Sequence, residues 1–193
     1  PEETIMSEAV KKRAEYEDLY SIPEDARGEI INGELVVTPR PSRQHTFTCS
    51  ALDKEIGPPY QMGRGGGPGG WIIIVEPEIS LSGDIFVPDL AGWKKERFPY
   101  SEETNWISVP PDWVCEVLSP NTFRLDRTQK MPVYAQHGVG HIWLIDPVAE
   151  MVEVFKLESG RWVLLGVFAE NDRMRAEPFG EIEIDLNDLW LKP

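Results

Sequence analysis

The sequence predicts a mixed α+β fold, a central sheet with helices packed on it and β-hairpins at both ends of the chain. Three observations predict it. His45, Cys49, Leu52 and Ile56 recur at helical spacing, which marks one face of an amphipathic helix. Strand-sized apolar runs such as Trp71–Val75 and Ile142–Ile145 are bounded by glycine and proline, as strands are. Between alternating residues stands Asn32-Gly33, the strongest short hairpin signal.

The bulk numbers fit one domain spanning residues 1–193, with 41% hydrophobic and 27% charged residues, large enough to bury a real core. No apolar run is long enough to cross a bilayer, and no charged-then-apolar leader opens the chain. Cys49 and Cys115 both lie in apolar settings, as reduced core thiols do. The expectation is a cytoplasmic protein without membrane contact. Thirty-three acidic residues against 19 basic ones give a net charge of −14. That field repels polyanions, so a nucleic-acid partner requires a local basic surface.

Taken in order, residues 1–12 are polar and expected to be loose. Tyr16–Ile22 reads as a short helical segment ended by Pro23, and Arg27–Pro39 as the hairpin. Ser42–Ile56 is the amphipathic helix, with Gly57-Pro58-Pro59 expected to stop it. The glycine-rich run Gly63–Gly70 lacks the lysine and following helix of a phosphate loop, and reads as a surface loop. Trp71–Leu81 and Ile85–Trp93 read as two strands joined around Ser82-Gly83-Asp84, with Pro88 marking an edge or bulge just before Asp89. Asp112–Leu118 is a third strand. A helix is expected from about Asp126 to His137, opened by an Asp126/Gln129 capping box, strained by Pro132 and ended by Gly138. Gly140–Asp146 returns as a strand. Met151–Leu157 and Trp162–Phe168 form a hairpin, and Glu181–Asp185 is a last short strand. From Ser42 to Asp146 the order is helix, three strands, helix, strand.

Glu116 stands between Cys115 and Val117 in a strand expected to be buried. An unpaired buried carboxylate is costly, so it is paired, neutralised or bound to a cation. Asp112 shares its strand face but lies about 13 Å away along the strand. Asp89, on a neighbouring strand, is the acid that converges with it. Two such carboxylates suit a hard cation, Mg²⁺ or Mn²⁺. The competing reading pairs Glu116 with an arginine or an internal hydrogen bond. Asp126, Lys130 and Tyr134 recur at i, i+4 and i+8 and line one helix face.

Pro88-Asp89, Glu116-Val117-Leu118-Ser119-Pro120, Asp126-Arg127, Lys130, Tyr134, Gly138-Val139 and Trp143–Pro147 together resemble the Uma-two family. Glu29–Glu34 and His45 extend the resemblance, which covers about Tyr16 to Trp190. These are bacterial restriction-endonuclease-like proteins of the PD-(D/E)XK nuclease superfamily. The resemblance implies a core of helix, three strands, helix, strand, which is the order read above. It implies Asp89 and Glu116 as catalytic acids and metal ligands, with the carbonyl of Val117 as a further ligand. The motif lysine belongs two residues after the acid, where Leu118 stands, so Lys130 takes its role, with Lys94 and Lys95 as rivals. Glu29, His45, Asp126 and Tyr134 are accessory candidates. The homodimer expectation draws on Trp162 and Trp190 as apolar surface and on the pairing of restriction-type nucleases that the resemblance implies.

The function expected is therefore a Mg²⁺- or Mn²⁺-dependent endonuclease that hydrolyses DNA phosphodiesters. Arg40, Arg43, Arg64, Arg124, Arg127 and Lys130 would supply its local positive charge. The acidic balance and Leu118 favour the alternative, a catalytically degenerate nuclease fold retained for binding. A hydrolase of small phosphorylated or glycosidic substrates fits the acids but has no motif of its own.

Overall fold

The computed structural model describes residues 12–192. The looseness expected of the first dozen residues lies, Lys12 excepted, outside the described residues. After a 3-10 turn at Tyr16–Ser21, the first hairpin pairs β1 (Ala26–Ile31) with β2 (Glu34–Pro39). Asn32 and Gly33 both take positive φ, 54° and 75°, the backbone a tight hairpin turn needs and these two residues tolerate.

Helix α1 (Arg43–Ile56) is capped by Ser42, whose hydroxyl accepts the His45 N–H at 3.3 Å. It buries His45, Thr48, Cys49, Leu52 and Ile56. Gly57-Pro58-Pro59 does not stop the winding. Residues Gly57–Gln61 continue as a π turn in which Met62 N–H reaches the Gly57 carbonyl. Prolines have no N–H for the α ladder, so the turn widens instead of ending.

The two long strands expected between Trp71 and Trp93 are four. They are β3 (Trp71–Val75), β4 (Ile79–Leu81), β5 (Asp84–Phe86) and β6 (Leu90–Lys94). Pro77 and Pro88 interrupt the ladders, and Glu76 takes a positive φ of 50°, so the hairpin bends at matching points on both arms. Its tip joins a four-stranded sheet, β2-β1-β5-β4, while its base lies in a six-stranded one. That larger sheet has the order β10-β9-β8-β7-β6-β3 and adds β7 (Trp113–Val117), β8 (His141–Asp146), β9 (Met151–Glu158) and β10 (Arg161–Ala169). Among the described strands of this sheet, β7 and β8 alone pair in parallel.

The second helical segment starts earlier than expected and holds a widened turn. Helix α2 (Phe123–Leu125) follows Thr122, whose N–H is taken by the Ser119 hydroxyl at 3.2 Å. Residues Asp126–Lys130 form a π turn, and α3 (Met131–Gln136) carries Pro132 in its first turn. Widening before Pro132 removes the clash that a proline ring makes inside an α-helix. Asp126 is thus no cap; it is buried inside the segment. Gly138, at φ 74°, ends it as expected. Near the C-terminus, β12 (Ile184–Asp185) is shorter than expected and pairs with β11 (Arg173–Met174).

Each face of the six-stranded sheet carries a core. On one, α1 and the C-terminal segment cover Trp71, Trp113, Trp143, Cys115 and Val117. Phe179 enters this core with its ring 4.9 Å from Trp113 and 4.6 Å from Tyr60. On the other face, Ile79, Leu81, Phe86, Met131 and Tyr134 cover Ala91, Trp93, Val114, Ile142 and Leu144. Trp190 is 3% exposed and belongs to the core, and the Trp162 indole donates to the Met131 carbonyl. The tryptophans expected to offer a dimer surface are therefore spent on internal packing. The exposed apolar residues of that region are Val163, Leu164, Leu165 and Val167, on the edge strand β10. Among the described residues no helix is long and apolar enough to cross a membrane.

Candidate metal and catalytic site

The register of β6 and β7 sets Leu90 opposite Cys115, and one step further sets Asp89 opposite Glu116. Asp89 is 4% exposed and Glu116 2%. Both line one cleft with Arg27, Glu29, His45, Val117, Asp126 and Lys130. Strand β1 contributes Arg27 and Glu29, two residues apart on one face. The start of α1 contributes His45, and the π turn Asp126 and Lys130.

Asp89 is held on three sides. Its Oδ1 accepts from Arg27 at 3.1 Å; its Oδ2 takes the Val117 N–H at 2.7 Å and lies 3.1 Å from His45 Nε2. Burial pushes its carboxyl up, but His45, Arg27 and the Val117 amide outweigh that and hold it below its ordinary value. Arg27 also pairs with Glu76.

Glu116 is held differently. Tyr134 donates to its Oε1 at 2.7 Å, and Lys130 Nζ lies 3.2 and 3.4 Å from its two oxygens. The ammonium sits closest to Glu29, at 2.9 Å, and 3.5 Å from Asp126. Glu29 Oε1 also takes the Val87 N–H at 2.7 Å, so it ties β1, the β5–β6 link and Lys130 together. One cation faces three carboxylates. Burial works against the Lys130 charge, yet Glu116, Glu29 and Asp126 raise its pKa well above the ordinary value. Burial also drives Glu116 well up; Lys130 opposes, while Asp126, Asp89 and Glu29 push further in the same direction. Asp126 is raised by burial too, against Lys130 and a Thr122 hydrogen bond. Tyr134 stays a phenol, raised by burial and by Glu116.

The structure brings Asp89, Glu116, Lys130, Glu29, His45, Asp126 and Tyr134 together, with Val117 as the amide that fixes Asp89. Glu34 is exposed on the hairpin. Lys94 and Lys95 are exposed at the opposite end of β6 from Asp89, which removes them as rivals to Lys130. The basic cluster is smaller than expected. Lys130 is 3% exposed and Arg127 pairs with Glu153. Arg64 follows the far end of α1, roughly 20 Å from its start. Arg40 lines the cleft, and Arg43 and Arg124 are exposed next to lining residues. Arg27 is the functional candidate that sequence reasoning missed; its alternation with Glu29 on one strand was the available signal.

His45, Cys49 and Asp89 also stand close enough to hold an ion, their donor atoms within 4.8 Å of one another. His45 turns Nε2 to Asp89 and Nδ1 to the Cys49 sulfur at 3.7 Å, so its two nitrogens serve different neighbours. Burial first, then Asp89, keeps Cys49 a thiol by raising its pKa. An ion bound there would have to displace the thiol proton, whereas Asp89 and Glu116 offer oxygen donors alone.

A sequence model of the Uma2 family, described as "Putative restriction endonuclease", matches residues 13–187. Among solved structures, the chain is similar to a crystal structure of "a putative nuclease belonging to DUF820" from Anabaena variabilis. The TM-score is 0.72 at 24% identity, covering 90% of this chain and 96% of that one. This likeness shows the fold, which is restriction-endonuclease-like. No curated protein matches the chain.

Proposed function

The chain belongs to the Uma2 family, and from that premise we propose that it is a Mg²⁺- or Mn²⁺-dependent endonuclease acting on DNA at the cleft of Asp89 and Glu116. One observation carries the reading. Four buried carboxylates, Glu29, Asp89, Glu116 and Asp126, share the cleft with the cations Arg27, Arg40 and Lys130, so acids outnumber cations there. A divalent ion would relieve that excess of acid. The oxygen-only donor set suits a hard ion, and each carboxylate has lone pairs beyond those already used.

Asp89, Glu116 and the Val117 carbonyl would hold the ion. A bound ion offsets charge on the phosphate and lowers the pKa of a coordinated water. Arg27, His45 and the Val117 amide orient Asp89, and Tyr134 orients Glu116. Lys130 is kept charged by Glu29, Glu116 and Asp126, so it brings a permanent positive charge to the phosphate side of the acids. We place this chemistry in one domain, in the reducing cytoplasm where Cys49 and Cys115 persist as thiols, and in a homodimer.

The second reading, a binding protein on a degenerate nuclease fold, is favoured by Asp89, both of whose oxygens are already engaged. Plasmid nicking at low salt with Mg²⁺ or Mn²⁺ separates the two. Nicking that disappears in Asp89→Asn and Glu116→Gln supports the enzyme. A parent protein that binds Mn²⁺ by calorimetry and cuts neither plasmid nor single-stranded DNA supports the binding protein.

A further inference from the structure

The cleft is small and its acids lie at the bottom. Its volume is about 200 Å³, below the ~300–1,000 Å³ of drug-sized ligand sites. Glu29, Asp89, Glu116 and Asp126 are 7%, 4%, 2% and 2% exposed. Three connections wall it in: Arg40–Ser42 between β2 and α1, Leu118–Thr122 between β7 and α2, and Pro147–Val148 between β8 and β9. Proline stands in each of them and limits how far they open.

The phosphates of an intact duplex are fixed on a rod with a persistence length of about 50 nm. Bending the rod to bring one of them down to acids this buried is costly while the strands stay paired. A single strand has the freedom to bend one phosphate inward. The rim points the same way. The exposed cations are Arg40, which lines the cleft, and Arg43 and Arg124, each within two residues of a lining position, enough for a short strand but few beside a duplex-binding surface that makes about 6–10 phosphate contacts. Elsewhere the net charge of −14 repels a long polyanion. Val148, 69% exposed, lines the cleft, and Phe123, 49% exposed, stands next to Arg124 in the chain. Aromatic and apolar faces interleaved with arginine are how proteins hold unpaired bases.

We infer that the cleft takes a single-stranded segment of nucleic acid, admitting one nucleotide at a time, in preference to an intact duplex; this rests on the nuclease reading above. Phe123 and Val148 support the bases flanking the one whose phosphate enters, and Arg40, Arg43 and Arg124 hold the neighbouring phosphates.

The test uses one labelled oligonucleotide, as a free strand of DNA, as the same sequence in RNA, and annealed to its DNA complement. Cleavage is measured with Mn²⁺ at low salt, and binding by anisotropy with Glu116→Gln. The expected result is a preference of at least about tenfold for a free strand in both measurements, with Phe123→Ala weakening strand binding about tenfold, the value of one stacked base. The DNA and RNA arms tell which sugar the site accepts. A duplex bound and cut as well as the strand overturns the inference and leaves the nuclease reading intact. Preferential strand binding with nothing cut upholds the inference and removes the nuclease reading. Neither binding nor cleavage of any form overturns both.

Discussion

Replacing Lys130 with methionine removes the buried ammonium that Glu29, Glu116 and Asp126 share, at a site 3% exposed. Methionine fills most of the space, so the change is one of charge. Breaking a buried ion pair from one side costs about 3–5 kcal/mol, and here three acids lose the same partner. For a protein of this size that corresponds to a fall in Tm of roughly 6–20 °C. The loss has a pH signature. In the parent the raised Lys130 pKa keeps its contribution complete below 10.5 and lost only as pH climbs through the native value, so it is constant from pH 5 to 8. Without the ammonium, the acids relieve their repulsion by keeping an additional proton, which costs about 1.4 kcal/mol for each pH unit. Lys130→Met is therefore expected to lose more stability at pH 8 than at pH 5. Urea unfolding of both proteins in EDTA, followed by tryptophan fluorescence, measures the difference. A loss under about 1 kcal/mol at pH 8, small beside a broken buried pair, would refute the charge-sharing account, as would a loss that is flat with pH. An activity assay of this variant alone cannot separate a catalytic lysine from a structural one.

Glu116→Gln keeps an oxygen for Tyr134 and Lys130 and removes a carboxyl raised above its ordinary 4.5. A raised acid stabilises below its unfolded value and loses that contribution as pH rises through the native one, so in EDTA the variant should gain on the parent by up to about 1.4 kcal/mol for each pH unit between 4.5 and the native value, and no further beyond it. Parallel unfolding curves at pH 5 and pH 8 would sink this. Cys49 and Cys115 are buried thiols whose pKa burial raises; both should resist a thiol reagent in the native protein and react in urea, and rapid native labelling would contradict their placement. The homodimer proposal now rests on β10, an edge strand that exposes Leu164 at 50% and Leu165 at 43%. Light scattering should give a dimer for the parent and a monomer for Leu164→Lys, since a charged edge resists pairing; a monomeric parent ends the proposal.

The core order was legible because it rests on strong local signals: the α1 stripe, the Asn32-Gly33 turn, and the glycine that ends α3. Several departures involve residues that break a ladder without ending an element. Pro58, Pro59 and Pro132 were read as stops or strains, yet the backbone answers each with a π turn. Pro77 and Pro88 divide one hairpin between two sheets, a choice made by tertiary packing on either side and invisible in periodicity. Among site residues, Asp89 and Glu116 stood out as acids in apolar settings. Arg27 did not, because an arginine in a hairpin strand reads as exposed until β1 is known to pair with β5 and bring Arg27 to Asp89. Trp190 failed in the opposite sense: an aromatic near a chain end reads as surface until the C-terminal segment is seen to cover the sheet.

Leu118 also becomes intelligible. It is 5% exposed and packs in the cluster with Val114, Leu144 and Tyr134. An ammonium at that position would lose its hydration among apolar side chains, with Glu116 two residues back on its own strand as its partner. From the helix, Lys130 reaches Glu116 from across the cleft, where Glu29 comes from the second sheet and Asp126 from the same π turn. Three acids hold the lysine there, Glu29, Glu116 and Asp126. Moving the cation to the helix thus lets the strand keep its packing and makes Lys130 the joint between β1, β7 and the π turn. The same joint fixes the acids that the proposed chemistry needs, so stability and site geometry depend on one salt-bridge cluster.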